Sequence, residues 1–335
     1  MPRKTFWLFV APSLTAMLLL IALPLLLVLG QSFFITQEMI ETRVQQTCDP
    51  FGCKEETVQI PQRAADGSII TRTRWVGLSN YRDLLQPEQI AQAWKDRTLV
   101  QTLSNIDFYR ALRFTLTFAF ITLPLVLLVG FALALAVNRT SERLRGYIIF
   151  FSLLPFIITP VIGALSIRWL FIGDGILTAM LERLLARDLA LFANGWVVEG
   201  LMLFYRIWHV APFAFVVFYA GLQTVNRDAL EAALIDGATR WQRLRYVIIP
   251  HLMPLIVFVS LIHLMDAYRV FEEIVGFSAQ AHRISLQWMT FDLLQPDDTG
   301  NRAIARASAA AMLTMIGIVL ILMPILHRTW KDYQR

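Results

Sequence analysis

"EAALIDGATRWQRLRYVIIP", residues 231–250, lies between two of the most apolar stretches of the chain. It sets Glu231, Asp236, Arg240, Arg243 and Arg245 in quick succession and has its own punctuation. The residues leading into it, "NRDALEAALID", begin at Asn226, a good helix N-cap, and run to Gly237, the residue best suited to a left-handed C-terminal turn. "TRWQ" then offers a capping box, with Thr239 at the N-cap and Gln242 three residues on. The pattern predicts a helix, a glycine turn and a second helix running toward Pro250. Ala232, Ala233 and Ala238 keep its surface small, which permits close approach by a partner. An amphipathic helix lying in the membrane interface is the plainer reading of such a segment.

The flanks explain the setting. The chain has 335 residues, of which 56% are hydrophobic and 16% charged. Its mean hydropathy is +0.55. Soluble domains are about 45–50% apolar. Six apolar runs, near 6–34, 111–137, 147–173, 197–222, 248–276 and 303–326, approach or exceed the roughly 20 residues that cross a bilayer as a helix. The expected fold class is therefore all-α and polytopic, with six transmembrane helices. The first run is about twice as long as a cleaved signal's apolar region and no A-x-A pattern closes it, so a retained span is expected. Three regions follow: an N-terminal span at 1–34, an external region at 35–110, and a core at 111–335 that contains the insert 226–250.

Orientation follows from Lys and Arg in short loops. With the N-terminus inside, Arg3, Lys4, Arg139, Arg143, Arg145, Arg227, Arg240, Arg243, Arg245, Arg328, Lys331 and Arg335 fall inside. Only Arg183, Arg187, Arg283 and Arg302 fall in the short outside loops. Both termini and the insert are thus expected in the cytoplasm. The pI of 9.4 reports this bias rather than a nucleic-acid partner. Cys48 and Cys53 lie outside, in "CDPFGC", where a tight turn can bring the sulfurs together in an oxidising compartment. A disulfide is expected, with two free thiols as the alternative. A zinc site needs more ligands than this stretch offers. Farther along the external segments, "DGSIITRTRW" suggests a short strand pair, while "PEQIAQAWKDRTLVQTL" and "GILTAMLERLLARDLALF" have helical spacing.

Ionisable residues near the bilayer centre cost about 2.5–3.5 kcal/mol each on insertion scales, so they mark cavities or partners. Span four carries Glu199, Arg206 and His209 at offsets that share one helical face, flanked by Tyr205 and Trp208. Span five carries His263, Asp266, Tyr268, Arg269, Glu272 and Glu273, with Asp266, Arg269 and Glu273 spaced as a helical stripe. Arg168 and Trp169 lie near the outer end of span three. The polar groups of spans four and five sit at similar depths in the outer half of the membrane. One reading is structural ion pairing, above all Asp266 with Arg269. The other is a solute path formed by Tyr205, Arg206, Trp208, His209, Asp266, Tyr268, Arg269 and Glu273, in which aromatic faces and hydrogen-bonding groups suit a sugar.

Chemistry of the chain's own is not expected. The sequence has no G-x-x-x-x-G-K-[ST], no H-E-x-x-H and no G-x-S-x-G, so no catalytic or metal-binding residues are assigned. The intramembrane carboxylates leave an ion-coupled secondary transporter as the alternative. That class predicts inverted repeats and broken helices, neither of which is legible here, and it leaves the insert without a task.

"EAALIDGA" followed by "IIP" resembles the EAA loop of ABC importer permeases, the membrane subunits of binding-protein-dependent uptake systems. Glu231, Ala232, Ala233, Asp236, Gly237, Ala238 and Pro250 fall on that motif. Leu244 stands where the family often has Phe. "WVGLSNYRDLL" (75–85), "FYRALRFTLTFAF" (108–120), "LPFIITPVIGALSIRWLF" (154–171) and "DAYRVFEEIVGFS" (266–278) resemble segments of the sugar-type members, although the Gly-Gly-Pro run that often follows the last is absent. Residues 40–70 look like an insertion.

The resemblance implies a type I ABC importer permease fold in a bacterial inner membrane, with the insert as a coupling helix docked on ATPase subunits. It implies a second homologous permease, two ATP-binding subunits and an external solute-binding protein as partners. This chain would carry no cofactor, and ATP and magnesium would be bound by the ATPase subunits. The sugar-type members import carbohydrates, polyols or glycerol phosphate. Arg168, Arg206 and Arg269 would suit an anionic derivative.

Overall fold

The computed structural model describes residues 3–49, 52–62, 70–173, 175–188, 190–296 and 302–333. Six helical stretches are long and apolar enough to cross a membrane: Thr5–Gln31, Asp107–Asn138, Pro160–Leu185, Gly195–Gln223, Arg240–Tyr268 and Ile304–His327. The protein is mostly helical and polytopic, as expected. It divides into two compact units, Met1–Ile106 with Met289–Met315, and Asp107–Trp288 with Ile316–Arg335.

In the first unit, span one passes through a π-helical turn at Leu18–Ala22. None of its apolar window is buried, so its leucine and phenylalanine side chains stay on the outside, where lipid is their natural solvent. Among the described residues, strands occur only between 34 and 75. The strand pair expected within 66–75 forms differently. Residues 66–69 lie outside the described residues, and Thr71–Trp75 pairs antiparallel with Phe34–Glu38, Phe34 opposite Trp75. Trp75 decides this pairing, because Phe33 and Phe34 pack on its ring at 5.5 and 5.0 Å between centroids. A second antiparallel pair joins Ile40–Asp49 to Gly52–Pro61 with Cys48 opposite Cys53. Their side chains lie outside what is described. The helical spacing in 87–103 becomes helices Pro87–Lys95 and Leu99–Asn105. Asn80 Nδ2 donates to the carbonyls of Ser32 and Phe34 at 2.8 and 3.1 Å, which ties helix Ser79–Leu85 to the end of span one.

Span four is the core of the second unit, with 56% of its apolar window buried. Small residues let span two lie directly on it. A Cβ added to Gly130 would sit 2.6 Å from the Ala214 Cβ and 2.9 Å from the Phe215 nitrogen, so only glycine permits this approach.

Two expected spans are broken. The run 147–173 is two helices, Glu142–Ile157 and Pro160–Phe171, separated at Ile158–Thr159. Pro160 has no N–H to continue the ladder and restricts the residue before it. Tyr147, Phe150, Phe151 and Ile157 are exposed on the first of these helices. That apolar outer surface lies before the membrane-length stretch Pro160–Leu185, whose second part is the amphipathic helix Ile176–Leu185. The run 248–276 ends as a span at Tyr268, with Arg269 as its C-cap, and a short helix follows at Glu272–Phe277. The stripe expected from Asp266 through Arg269 to Glu273 therefore does not exist as one helical face. Its apolar letters match a continuing helix, but tertiary bonds override them. Ser285 Oγ takes the freed Val270 carbonyl at 2.5 Å, and Gly276 fits against Ala164, where a Cβ would lie 2.5 Å from the Ala164 Cβ.

Candidate functional site

One face of span four meets both breaks. Tyr205 is fully buried and donates its hydroxyl to the Pro160 carbonyl at 2.7 Å. His209 Nε2 donates to the Ile158 carbonyl at 2.9 Å. His209 thereby satisfies a carbonyl that the interrupted third span leaves without a helical partner, while Tyr205 anchors its hydroxyl on the first turn of the helix that follows the break. Gly163 supplies the clearance, since a Cβ there would lie 2.5 Å from the Tyr205 hydroxyl. Between them, Arg206 reaches the fifth span: Nη1 donates to Glu273 Oε1 at 2.8 Å and Nη2 to Asp266 Oδ2 at 2.5 Å. The Arg206 and Glu273 side chains are 4% and 1% exposed, while Asp266 is 54% exposed. One guanidinium thus answers two carboxylates on either side of the break at 269–271. Glu273 Oε2 and Arg206 Nε are buried without hydrogen-bond partners.

The expected path residues separate accordingly. Tyr205, Arg206, His209, Asp266 and Glu273 come together around the breaks. Trp208 is 39% exposed, with its ring 6.2 Å from that of Tyr205. Tyr268 is buried, and its hydroxyl fills the space where Gly317 lacks a side chain. Arg269 is exposed and has no ion-pair partner among the described residues, so the expected pairing with Asp266 is replaced by Asp266 with Arg206. The reason is the break itself, which turns residue 269 out of helical register with residue 266.

Sequence reasoning missed three further polar contacts. Glu199 binds Arg283 Nε at 2.6 Å, and that guanidinium stands 5.0 Å from the Trp196 ring centroid. Thr122 and His263 share a buried hydrogen bond of 2.9 Å. Ser285 also accepts from the Trp288 nitrogen at 3.0 Å while holding Val270. The first two join residues distant in sequence and no motif marks them, while Ser285 to Trp288 is a local bond three residues long. Among the described residues, no group of three His, Cys, Asp or Glu could hold a metal.

The insert has the local geometry its letters predict. Asn226 Oδ1 accepts from the Asp228 nitrogen at 2.8 Å and opens helix Arg227–Ile235. The helix closes with Gly237 at φ +75. There Ala238 N bonds the Ala233 carbonyl at 2.9 Å and Gly237 N the Leu234 carbonyl at 3.1 Å, the paired bonds of a Schellman motif. Thr239 and Gln242 form the reciprocal capping box. From Arg240 the chain is helical to Tyr268, through a π-helical turn at Leu244–Ile248. Glu231, Ala232, Asp236 and Gly237 are exposed, Ala233 and Ala238 are half-buried, and Pro250 is exposed at the start of the apolar part. Leu234, Ile235 and Trp241 are 57%, 86% and 65% exposed. The short element is capped at three ends and leaves these large apolar side chains uncovered.

Comparison with known proteins agrees with this architecture. The family described as "Binding-protein-dependent transport system inner membrane component" matches residues 126–331, more than half of the chain. The chain belongs to that family. It is similar to the trehalose transport system permease protein SugA of Mycobacterium tuberculosis, 30% identical over 202 residues that make up 60% of this chain and 59% of that protein. The match thus spans less than two thirds of that relative's length. It is also similar to the trehalose/maltose transport system permease protein MalF of Thermococcus litoralis, 26% identical over 229 residues, 66% of this chain and 74% of that one. Among solved structures, a bacterial ABC transporter involved in import of the acidic polysaccharide alginate has a chain that matches with a TM-score of 0.68. It is 21% identical, over 98% of this chain and 96% of that one, and shows the fold. The chain is a multi-pass membrane protein.

Proposed function

We propose that this chain is the transmembrane permease subunit of an ATP-driven importer for a carbohydrate, forming half of the translocation path. The insert carries the proposal: it is capped, exposed and amphipathic, and its letters resemble the EAA loop. In this reading its first helix docks into a separate ATP-binding subunit, with Leu234 and Ile235 as apolar contacts and Glu231 and Asp236 beside them. Two such subunits bind ATP and magnesium, a second homologous permease completes the path, and an external solute-binding protein delivers the solute. The charge bias supports an inner-membrane orientation with both termini and the insert in the cytoplasm.

The names of the relatives support a sugar as solute. In this reading Arg206 offers no free charge to the solute, because Glu273 and Asp266 already neutralise it. The half-exposed Trp208 ring and the free edge of Asp266 then offer a stacking face and a hydroxyl acceptor.

The test exploits Gly237, whose missing Cβ faces open space. Replacing it by Val strains only the positive-φ backbone, and replacing it by Asn is tolerated in that conformation. In the assembled transporter, Gly237→Val is expected to lower solute-stimulated ATP hydrolysis and uptake at least tenfold while insertion persists. Gly237→Asn is expected to stay near the original activity. Full uptake with Gly237→Val would remove the coupling role. The two helix breaks also suit an ion-coupled carrier, and uptake by vesicles given an ion gradient but no ATP would favour that reading.

A further inference from the structure

At the end of the spans that carries the insert, Arg139, Arg240 and Arg243 line one cavity of about 350 Å³ together with Leu230 and Ile248. Three separate elements supply them. Arg139 follows the end of span two, Leu230 belongs to the first helix of the insert, and Arg240 and Arg243 open the helix that becomes span five. None of the three arginines has an ion-pair partner among the described residues. Arg243 Nε is buried there without a hydrogen-bond acceptor. Three like charges converging on one cavity repel each other, and an anion is the missing counterpart.

The position says which anion. Tyr147 and Tyr246 are 68% and 69% exposed in the second turns of the neighbouring helices, and exposed aromatic rings near span ends are enriched at the membrane interface. Leu230 and Ile248 add an apolar part to the lining, so a ligand with a phosphate head and acyl chains satisfies both parts of the cavity. Basic pockets between spans on the cytoplasmic side accept such headgroups. We infer that this cavity holds the phosphate of an anionic phospholipid from the leaflet on the insert's side. The bound headgroup joins the turn after span two to the insert, so lipid charge steadies the surface that presses on a partner.

The test measures lipid retention by native mass spectrometry of the full chain, released from nanodiscs of phosphatidylglycerol or of phosphatidylcholine. The original protein is expected to keep one phosphatidylglycerol and no phosphatidylcholine. Arg139→Gln, Arg240→Gln and Arg243→Gln should each weaken retention about fivefold, and the triple variant roughly a hundredfold. Arg227→Gln, exposed and outside the cavity, should change nothing. The graded single variants carry the test even where the triple variant folds poorly. Unchanged retention in the three single variants would overturn the inference. So would displacement of the lipid by millimolar inorganic phosphate, which makes this a soluble-anion site. Release of the lipid when ATP-binding subunits are added would assign the arginines to a protein contact, and would overturn it as well.

Discussion

Arg206→Ala separates a scaffold from a solute path. The arginine and Glu273 are almost fully buried, and their bond is 2.8 Å. Truncating Arg206 leaves Glu273 without its counter-charge in a dry site, which costs about 3–5 kcal/mol. For a chain of this size that corresponds to a fall in melting temperature on the order of 5–10 °C. Glu273→Gln keeps the shape and one hydrogen bond while Asp266 still faces the guanidinium, so the loss should be about 1.5–3 kcal/mol. Asp266 is 54% exposed, and Arg206 keeps Glu273 as its counter-charge when Asp266 is neutralised. Asp266→Asn should therefore cost under about 1 kcal/mol. Replacing both buried partners, Arg206→Met with Glu273→Met, should recover most of the stability that the alanine loses. Thermal melting of the purified protein, beside uptake per folded complex, reads the order. Arg206→Ala melting at the original temperature with uptake abolished would refute the reasoning and place Arg206 on the solute path.

Two other predictions test neighbouring contacts. Gly163→Ala drives a Cβ against the Tyr205 ring and should destabilise by about 1–3 kcal/mol; combined with Tyr205→Phe the losses should be less than additive, and strict additivity in the double-mutant cycle would deny the contact. Cys48 and Cys53 are directly opposed across an antiparallel pair, where Cα atoms about 4.5–5.5 Å apart suit a disulfide. Non-reduced mass spectrometry should find one crosslinked peptide, and alkylation of both thiols without reduction would exclude it. Removing so short a loop closure should disturb local order more than uptake.

The insert was legible because each of its decisions is local. Asn226, Gly237, Thr239 and Gln242 act on backbone groups within a few residues of themselves, so their spacing alone states the geometry. The six crossings were legible for a related reason, since lipid tolerates little but long apolar helices. The break after Tyr268 was not. Val270 and Phe271 are letters that a helix accepts, and what turns them aside is Ser285 and Arg206, fourteen or more residues away in sequence. Likewise the sequence places Arg206, Asp266 and Glu273 at similar depth, but nothing local says that the guanidinium lies between both carboxylates. The strand partner of Thr71–Trp75 was missed because it comes from across residues 40–70.

Tyr205, Arg206 and His209 therefore take a different meaning from that suggested by polarity alone. All three occupy one face of span four, and each satisfies a group that belongs to an interrupted helix: Pro160 O, the Asp266–Glu273 pair, and Ile158 O. A helix break inside a membrane survives only where other side chains replace the lost ladder bonds. His209 does that at Ile158, and Tyr205 and Arg206 hold the segments beside the breaks, which leaves all three committed before any solute arrives. Groups free to meet a solute must be those whose polar or aromatic surface is still open: Trp208, the outer edge of Asp266, and Arg269. Substitutions there should change uptake with little change in melting temperature, the reverse of the pattern at Arg206 and Tyr205.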